Sequence, residues 1–390
     1  MKNIKINMEI ILYILLFIPF INMSVFSQYS NIKEIIRCIS LIIMVIFLFK
    51  KDLKIDKFDI LTIIFSLYII MISFVNRNLS FGITVSVLQL FIICKFVKER
   101  LKKSNKMLTT LYILYSVVAV INFIPIIGKN VTENYSYFLG GKNALSMVLI
   151  PTLYFISIYS IVKYRKITIK NLALSMIIIA TMFISGSGTG IVLSVIALIC
   201  MLLIDKINVN KKVLFIAYII IFLVVLNLQA FNNIGIIRTI VVDYLQKDLT
   251  LTGRTEIWDK VINYITDSFL VGYGKGNSIV SSFSNVSECH NMFLEIMLCG
   301  GMILLVNYIL IIKETFSKCN YSKNKLKNKL NNTSLIFVFL FFIIGLTESV
   351  PFKIEIWIMF TITYSIDNIL KNKEKDETNG KDNDIYSDLQ

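Results

Sequence analysis

Twelve apolar segments, each of membrane-spanning length or close to it, divide this chain and leave it few folds to adopt. A hydrocarbon core roughly 30 Å thick takes about 20 residues of helix, and backbone inside it must satisfy its own hydrogen bonds. Such segments lie near residues 8–27, 34–49, 58–76, 79–97, 107–127, 143–162, 170–185, 189–205, 212–229, 290–312, 333–347 and 353–370. The expected architecture is therefore all-α: a polytopic membrane helix bundle of about twelve transmembrane helices, forming one integral domain over residues 1–370. The second, seventh and eleventh segments are short, which leaves ten or eleven spans as the alternative. With 56% hydrophobic and 17% charged residues, the composition is more apolar than a soluble chain needs.

Positive charge gives the orientation. Cytoplasmic loops retain lysine and arginine. Of the 40 such residues, 29 fall on segments that share a side with the N-terminus and 11 on the other side. A multi-pass protein of the cell membrane with both termini cytoplasmic is expected. The net charge of +15 is scattered between spans, so it does not point to nucleic acid. Lys2 and Lys5 precede an apolar run without a small-x-small cleavage site, so the first span is expected to be retained. The six cysteines form no C-x-x-C pair, and a single histidine excludes a metal site built on imidazoles.

Polar residues gather in one place. Residues 229–289 form a 61-residue segment on the expected outer face, far longer than a connecting loop needs. Within it, Ile257, Trp258, Val261, Ile262 and Ile265 recur at spacings of three and four, which predicts an amphipathic helix over about 253–267 with Thr252 as its N-cap. A turn at Gly272-Tyr273-Gly274-Lys275-Gly276-Asn277 follows, then a serine-rich approach to His290 and Asn291. From Lys371 onward the composition predicts a solvated cytoplasmic tail, 371–390, without fold.

The order of these features carries a resemblance. A glycine-serine turn between two spans (Ser185 to Gly190) precedes a long outer loop opening Gly253-Arg254 with Trp258. Gly272-Tyr273-Gly274 and then His290-Asn291 at the head of a span complete the set. Over roughly residues 130–355 the chain resembles the O-antigen ligase and polymerase superfamily. That resemblance implies a metal-independent glycosyltransferase of the outer leaflet, moving an undecaprenyl-diphosphate-linked glycan to an acceptor sugar. Many members carry an arginine in the first turn where this chain has Gly188, so a second basic contact to the diphosphate either comes from elsewhere or is missing.

The residues themselves point the same way. Cleaving a sugar–diphosphate bond builds negative charge on the leaving group, which a divalent metal or fixed cations must meet. The outer loop has no Asp-x-Asp pair, so neither metal nor cofactor is expected. Arg254 offers a permanent charge and a bidentate fork at a helix start; its plainer role is to stack on Trp258. His290 is the one side chain suited to take a proton near neutral pH, or else it pairs with Glu288 at a span end. Asn291 can touch substrate or simply cap its helix. Glu295 and Glu348 lie in or beside apolar spans, where ionisable groups are costly and tend to face a cavity. Lys142, Arg238, Lys275 and Lys353 are candidate helper cations on the outer face, and Ser187 lies in a turn able to line the same cavity.

The expected activity is polymerisation of lipid-linked oligosaccharide repeat units into capsular or exopolysaccharide, with His290 as base and Arg254 on the diphosphate. A flippase and a chain-length regulator are the expected partner proteins. The alternative within the same chemistry is a ligase that passes finished glycan to another envelope acceptor. The alternative from another class is a flippase or exporter of the same lipid, which is disfavoured by the absence of two similar halves. The 29 to 11 charge split makes the topology testable. In a cysteine-free background, a reporter cysteine at Ser282 should react with an impermeant reagent in intact cells and one at Asn324 should not. Labelling at Asn324 alone would invert the orientation.

Overall fold

A computed structural model describes residues 7–24, 29–49, 54–127, 137–226 and 253–387. Each of the twelve apolar segments holds a helix. In chain order these are α1 (Met8–Phe17), α2 (Ser30–Phe49), α3 (Lys57–Val75), α4 (Phe81–Leu101), α5 (Lys106–Phe123), α6 (Lys142–Tyr164), α7 (Ile169–Ser185), α8 (Gly188–Leu203) and α9 (Lys211–Leu226). The outer segment contributes α10 (Arg254–Asp267) and α11 (Ile279–Phe283). The chain continues through α12 (Met292–Thr315), α13 (Lys325–Gly345), α14 (Ile354–Tyr364) and α15 (Ile366–Ser387). No strand occurs among the described residues. Six helices, α3 to α6 with α12 and α13, are long and apolar enough to cross a membrane; α1, α7, α8 and α14 are shorter apolar helices.

Three boundaries differ from the sequence expectation, each for a local reason. The first segment stops early, because Pro19 tightens the chain into a 3-10 turn over Ile18–Phe20. The last apolar segment breaks at Ser365, leaving α14 only 11 residues long. The helix that follows runs on to Ser387, through the segment whose composition pointed to an unfolded end. Asn372 Nδ2 ties its start to the carbonyl of Leu101 at 2.7 Å, and Arg165 pairs with Glu377 at 2.9 Å.

Helix α6 is the axis of the bundle and packs against α5, α7, α8, α13 and α14. Its polar side chains do not disturb the core, since Thr152 and Ser157 return their hydroxyls to carbonyls four residues back. Outward faces are apolar instead: on α2, Ile32, Ile35, Ile36, Ile39, Ile42 and Ile46 are all exposed at helical spacing. An apolar stripe of this length on a bundle exterior suits lipid. At one end the basic loops are pinned by ion pairs such as Lys106–Glu9 (2.6 Å), Lys98–Asp56 (2.8 Å) and Lys327–Asp367 (2.6 Å). Residues 253–289 lie at the other end, where Asn78 Nδ2 donates to the Tyr273 carbonyl at 2.8 Å.

There α12 is broken. Gly301 sits at φ 61° and ψ −162°, a backbone region open only to glycine. The break frees carbonyls and N–H groups deep in an apolar helix, and residues 269–274 fill in for them. Tyr273 and Gly274 donate to Leu298 and Cys299 oxygens at 2.8 and 2.9 Å, while Met302 and Ile303 donate to Phe269 and Leu270 oxygens at 2.8 and 3.3 Å. The approach is so close that a Cβ on Gly301 would lie 2.3 Å from the Leu270 carbonyl. Gly301→Ala should therefore cost more than the roughly 1–3 kcal/mol of backbone strain alone and remove most folded protein on detergent size-exclusion. Gly141→Ala, at φ −70° with open space around it, should be tolerated. Equal yields for the two would discount the break.

Candidate active site

The short helix α10 carries Arg254 and Trp258 on the face that it buries. That face is Arg254, Thr255, Trp258, Val261 and Ile265, rotated from the expected stripe, and Ile262 points outward. Thr252 lies outside the described residues; Gly253, at φ 79°, occupies the N-cap position. Val261 and Ile265 pack with Cys289, Met297 and Leu298, seating α10 on the first half of α12. Trp258 then donates its indole N–H to the Cys289 carbonyl at 3.0 Å, which fixes the residue before His290.

His290 is held from three sides. Its backbone is left-handed at φ 52°, a conformation costing on the order of 1 kcal/mol for a residue with a Cβ. Its N–H donates to Ser349 Oγ at 3.0 Å, and its Nδ1 lies 3.2 Å from Glu348 Oε2. The partner is thus Glu348, across the bundle top, and not the neighbouring Glu288. The other oxygen of Glu348 receives Arg254 Nη2 at 2.5 Å. Burial by itself would raise the Glu348 carboxyl; the hydrogen bond to His290 and the Arg254 charge outweigh it and hold the group below its usual range. Arg254 and Glu348 are both buried, so the pair is little screened.

Around this trio the remaining predicted residues separate. Glu295 accepts from the Cys289 N–H at 3.0 Å and from Ser349 Oγ at 3.2 Å, which makes it a brace for both loops. Asn291 is fully buried as the α12 N-cap, accepting from Phe293 and Leu294 and donating to the Leu346 carbonyl at 3.1 Å. Both ends of its amide are used within the fold, as a helix cap requires. Ser187 is buried at the start of α8 and Lys142 opens α6; neither is among the residues lining the two cavities described below. Arg238 lies outside the described residues.

Two cavities flank the trio. An open one of about 460 Å³ is lined by Ser281, Ser284, Asn285, Ser287, Glu288 and His290. A second, of about 230 Å³, takes in Lys275, Lys353, Arg37, Ser349 and, again, Glu288. Burial pushes the Lys275 ammonium below its ordinary range, and the positive charge of Lys353 adds to that against the pull of Glu295 and Glu288. Ser349 and Arg37 escaped the sequence reading. A serine in a short loop and an arginine near a span start carry no local signal.

Residues 173–309 match the family model described as O-antigen ligase. This segment is similar to the O-antigen ligase family. A search among curated proteins gives no match. The matched segment runs from α7 into α12 and takes in Ser187, Arg254, Lys275, His290 and Glu295, while Glu348 and Ser349 join it from beyond its end. Together with the apolar helices it supports a multi-pass membrane protein that processes glycans.

Glu348→Gln keeps the shape and removes the charge that Arg254 and His290 share. Because the carboxyl is held below its usual range, its contribution is complete at neutral pH and is lost as pH falls through that lowered value. Thermal melting in detergent should show the variant less stable than the parent at pH 7, the gap closing below the usual carboxylate range. A gap that stays constant into acid would remove the ion pair as its cause.

Proposed function

We propose that this protein polymerises undecaprenyl-diphosphate-linked oligosaccharide repeat units by a metal-independent, inverting transfer at the outer face of the cell membrane. The observation that carries the reading is the His290–Glu348 contact at the rim of a hydroxyl-rich cavity. With Nδ1–H directed to the carboxylate, Nε2 is the nitrogen left to accept a proton. In the proposed step an acceptor sugar hydroxyl gives its proton to His290 Nε2 as its oxygen attacks the anomeric carbon. The sugar–phosphate bond breaks on the opposite face, and the diphosphate leaves with the electron pair. One displacement inverts the carbon. Glu348 steadies the imidazolium that forms, and Arg254 acts through Glu348 as a positioning residue, since its guanidinium is engaged there. Serine hydroxyls and the Asn285 amide suit a sugar acceptor.

Among the described residues no three His, Cys, Asp or Glu side chains are grouped to hold a metal ion. In the proposed reaction cations meet the negative charge on the leaving group. The second reading, transfer of finished glycan to a different envelope acceptor, is favoured by the family description. A flippase delivering the lipid-linked unit and a chain-length regulator would be the partners of a polymerase.

General-base help is worth about 10²–10⁴ in rate. Cells carrying His290→Ala at normal membrane level should lose long polymer and accumulate single lipid-linked repeat units in the outer leaflet. Long lipid-linked chains left unattached would instead establish the ligase reading, and units trapped in the inner leaflet would establish a carrier. Unchanged polymer would exclude His290 as the base.

A further inference from the structure

The open cavity beside His290 is one-sided in a way that taking a proton from a hydroxyl does not by itself require. Among the described residues its polar wall is Ser281, Ser284, Asn285, Ser287, Glu288 and His290, with one carboxylate and neither lysine nor arginine. The cations of the region are engaged elsewhere. Arg254 holds Glu348, Lys260 rests 5.2 Å from the centre of the Phe283 ring, and Lys275 rests 3.7 Å from that of Phe352.

Glu288 is half-buried, and among the described residues its carboxylate has no hydrogen bond and no ion pair, although Lys275 and Lys353 share a cavity wall with it. Its backbone is held in place all the same. The next residue, Cys289, donates its N–H to Glu295 at 3.0 Å and accepts the Trp258 indole N–H at 3.0 Å. The serines add to the same polarity. Ser281 Oγ donates to the Ser278 carbonyl at 3.0 Å and Ser284 Oγ to the Val280 carbonyl at 2.7 Å, so what both oxygens have left to offer is lone pairs. The cavity therefore meets a ligand mainly with acceptors, and the Asn285 amide and Ser287 hydroxyl bring the few donors. A carboxylate or phosphate, itself all acceptor, would face a like charge there; sugar hydroxyls or an ammonium bring the protons that the wall lacks.

We propose that Glu288 sets the chemistry of the acceptor: it accepts hydrogen bonds from hydroxyl or amino groups of the acceptor's terminal sugar and turns away a sugar that bears a carboxylate or phosphate. That this sugar is the acceptor rests on the transfer reading above; the preference rests on the lining of the cavity. Bonds from such donors to a carboxylate are charge-assisted, and stronger than those between neutral groups. Repulsion of an acidic sugar is little relieved in a half-buried site, where salt screens less than at an open surface. The preference is the same for polymerase and ligase, because both deliver a sugar hydroxyl to His290. Acidic sugars within the glycan would then lie away from the end that receives the next unit.

Methyl glucosaminide, methyl glucoside and methyl glucuronide share one ring and differ in charge, so their binding to the purified full-length protein in detergent, followed by ligand-observed NMR at neutral pH, tests it. The parent should bind the first two, and the glucuronide about tenfold more weakly than the glucoside. Glu288→Gln should shrink that gap to about twofold, while Glu288→Asp, which keeps the charge, should preserve most of it. Should the glutamine variant fail to fold, Glu288→Lys carries the test and should bind the glucuronide best of the three. A parent that binds glucuronide and glucoside alike, or binds none of the three, would overturn the proposal. A gap that survives in folded Glu288→Gln would remove Glu288 as its source. If the gap is present and lost in Glu288→Gln while His290→Ala cells still make long polymer, the transfer reading fails and the sugar site stands.

Discussion

A break inside an apolar helix sets the terms for the rest of this molecule. Backbone groups freed in α12 at Gly301 have no water to turn to, and each left unpaired in an apolar interior would cost several kcal/mol. Residues 269–274 supply the partners, so the outer segment is bound into the membrane helix by its own main chain. This contact fixes Lys275 immediately after Gly274, and it holds the segment that follows α10 against the middle of α12. Sub-ångström placement of a polar site at the lip of a bundle needs such a rigid seat. Ser73 adds a second tie by accepting from the Lys275 N–H at 2.8 Å.

On that seat the two loops of the site are braced against each other through a single carboxylate. Glu348 takes Arg254 from α10 and His290 from the head of α12, while Ser349 and Glu295 link the same loops through hydrogen bonds. Both tryptophans of the chain serve here. Trp258 holds the Cys289 carbonyl and Trp357 holds that of Pro351 at 2.8 Å, one on each loop. The strained backbone of His290 persists because its surroundings leave no alternative, a pattern found where side-chain direction matters more than local stability. Arg254 is part of this brace, which explains why a residue suited to phosphate can instead serve to hold a carboxylate.

The charge layout divides the site in two. On one side of Glu288 lie serines and the free edge of His290, on the other lysines and an arginine. In the proposed reaction the serine-lined side would receive the neutral hydroxyl and the side with the cations would face the departing anion. The apolar exterior and the buried α6 keep the frame rigid around it.

Much of this was legible in residue order. Apolar runs of about 20 residues, the 3.6-residue period of α10 and the isolation of one histidine are local signals, and they gave the helical class, the polar segment and His290. Local rules also misled where tertiary contacts intervened: Ser365 splits the last apolar segment, and the chain past Lys371 is helical where it packs on α13 and α6, while Asn291 took the plainer of its two readings as a buried cap. Gly300-Gly301 is a visible glycine pair, yet only the docked loop makes it a break instead of a weak point in a continuous helix. What the sequence by itself determined is the helical membrane frame and which segment is polar, because burial in lipid depends on residues a few positions apart. Tertiary structure alone decided that Glu348 lies between Arg254 and His290, and that Arg37, Lys275 and Lys353 share one cavity. Those pairings join residues tens to hundreds of positions apart, and nothing in a local pattern records which helix ends will meet.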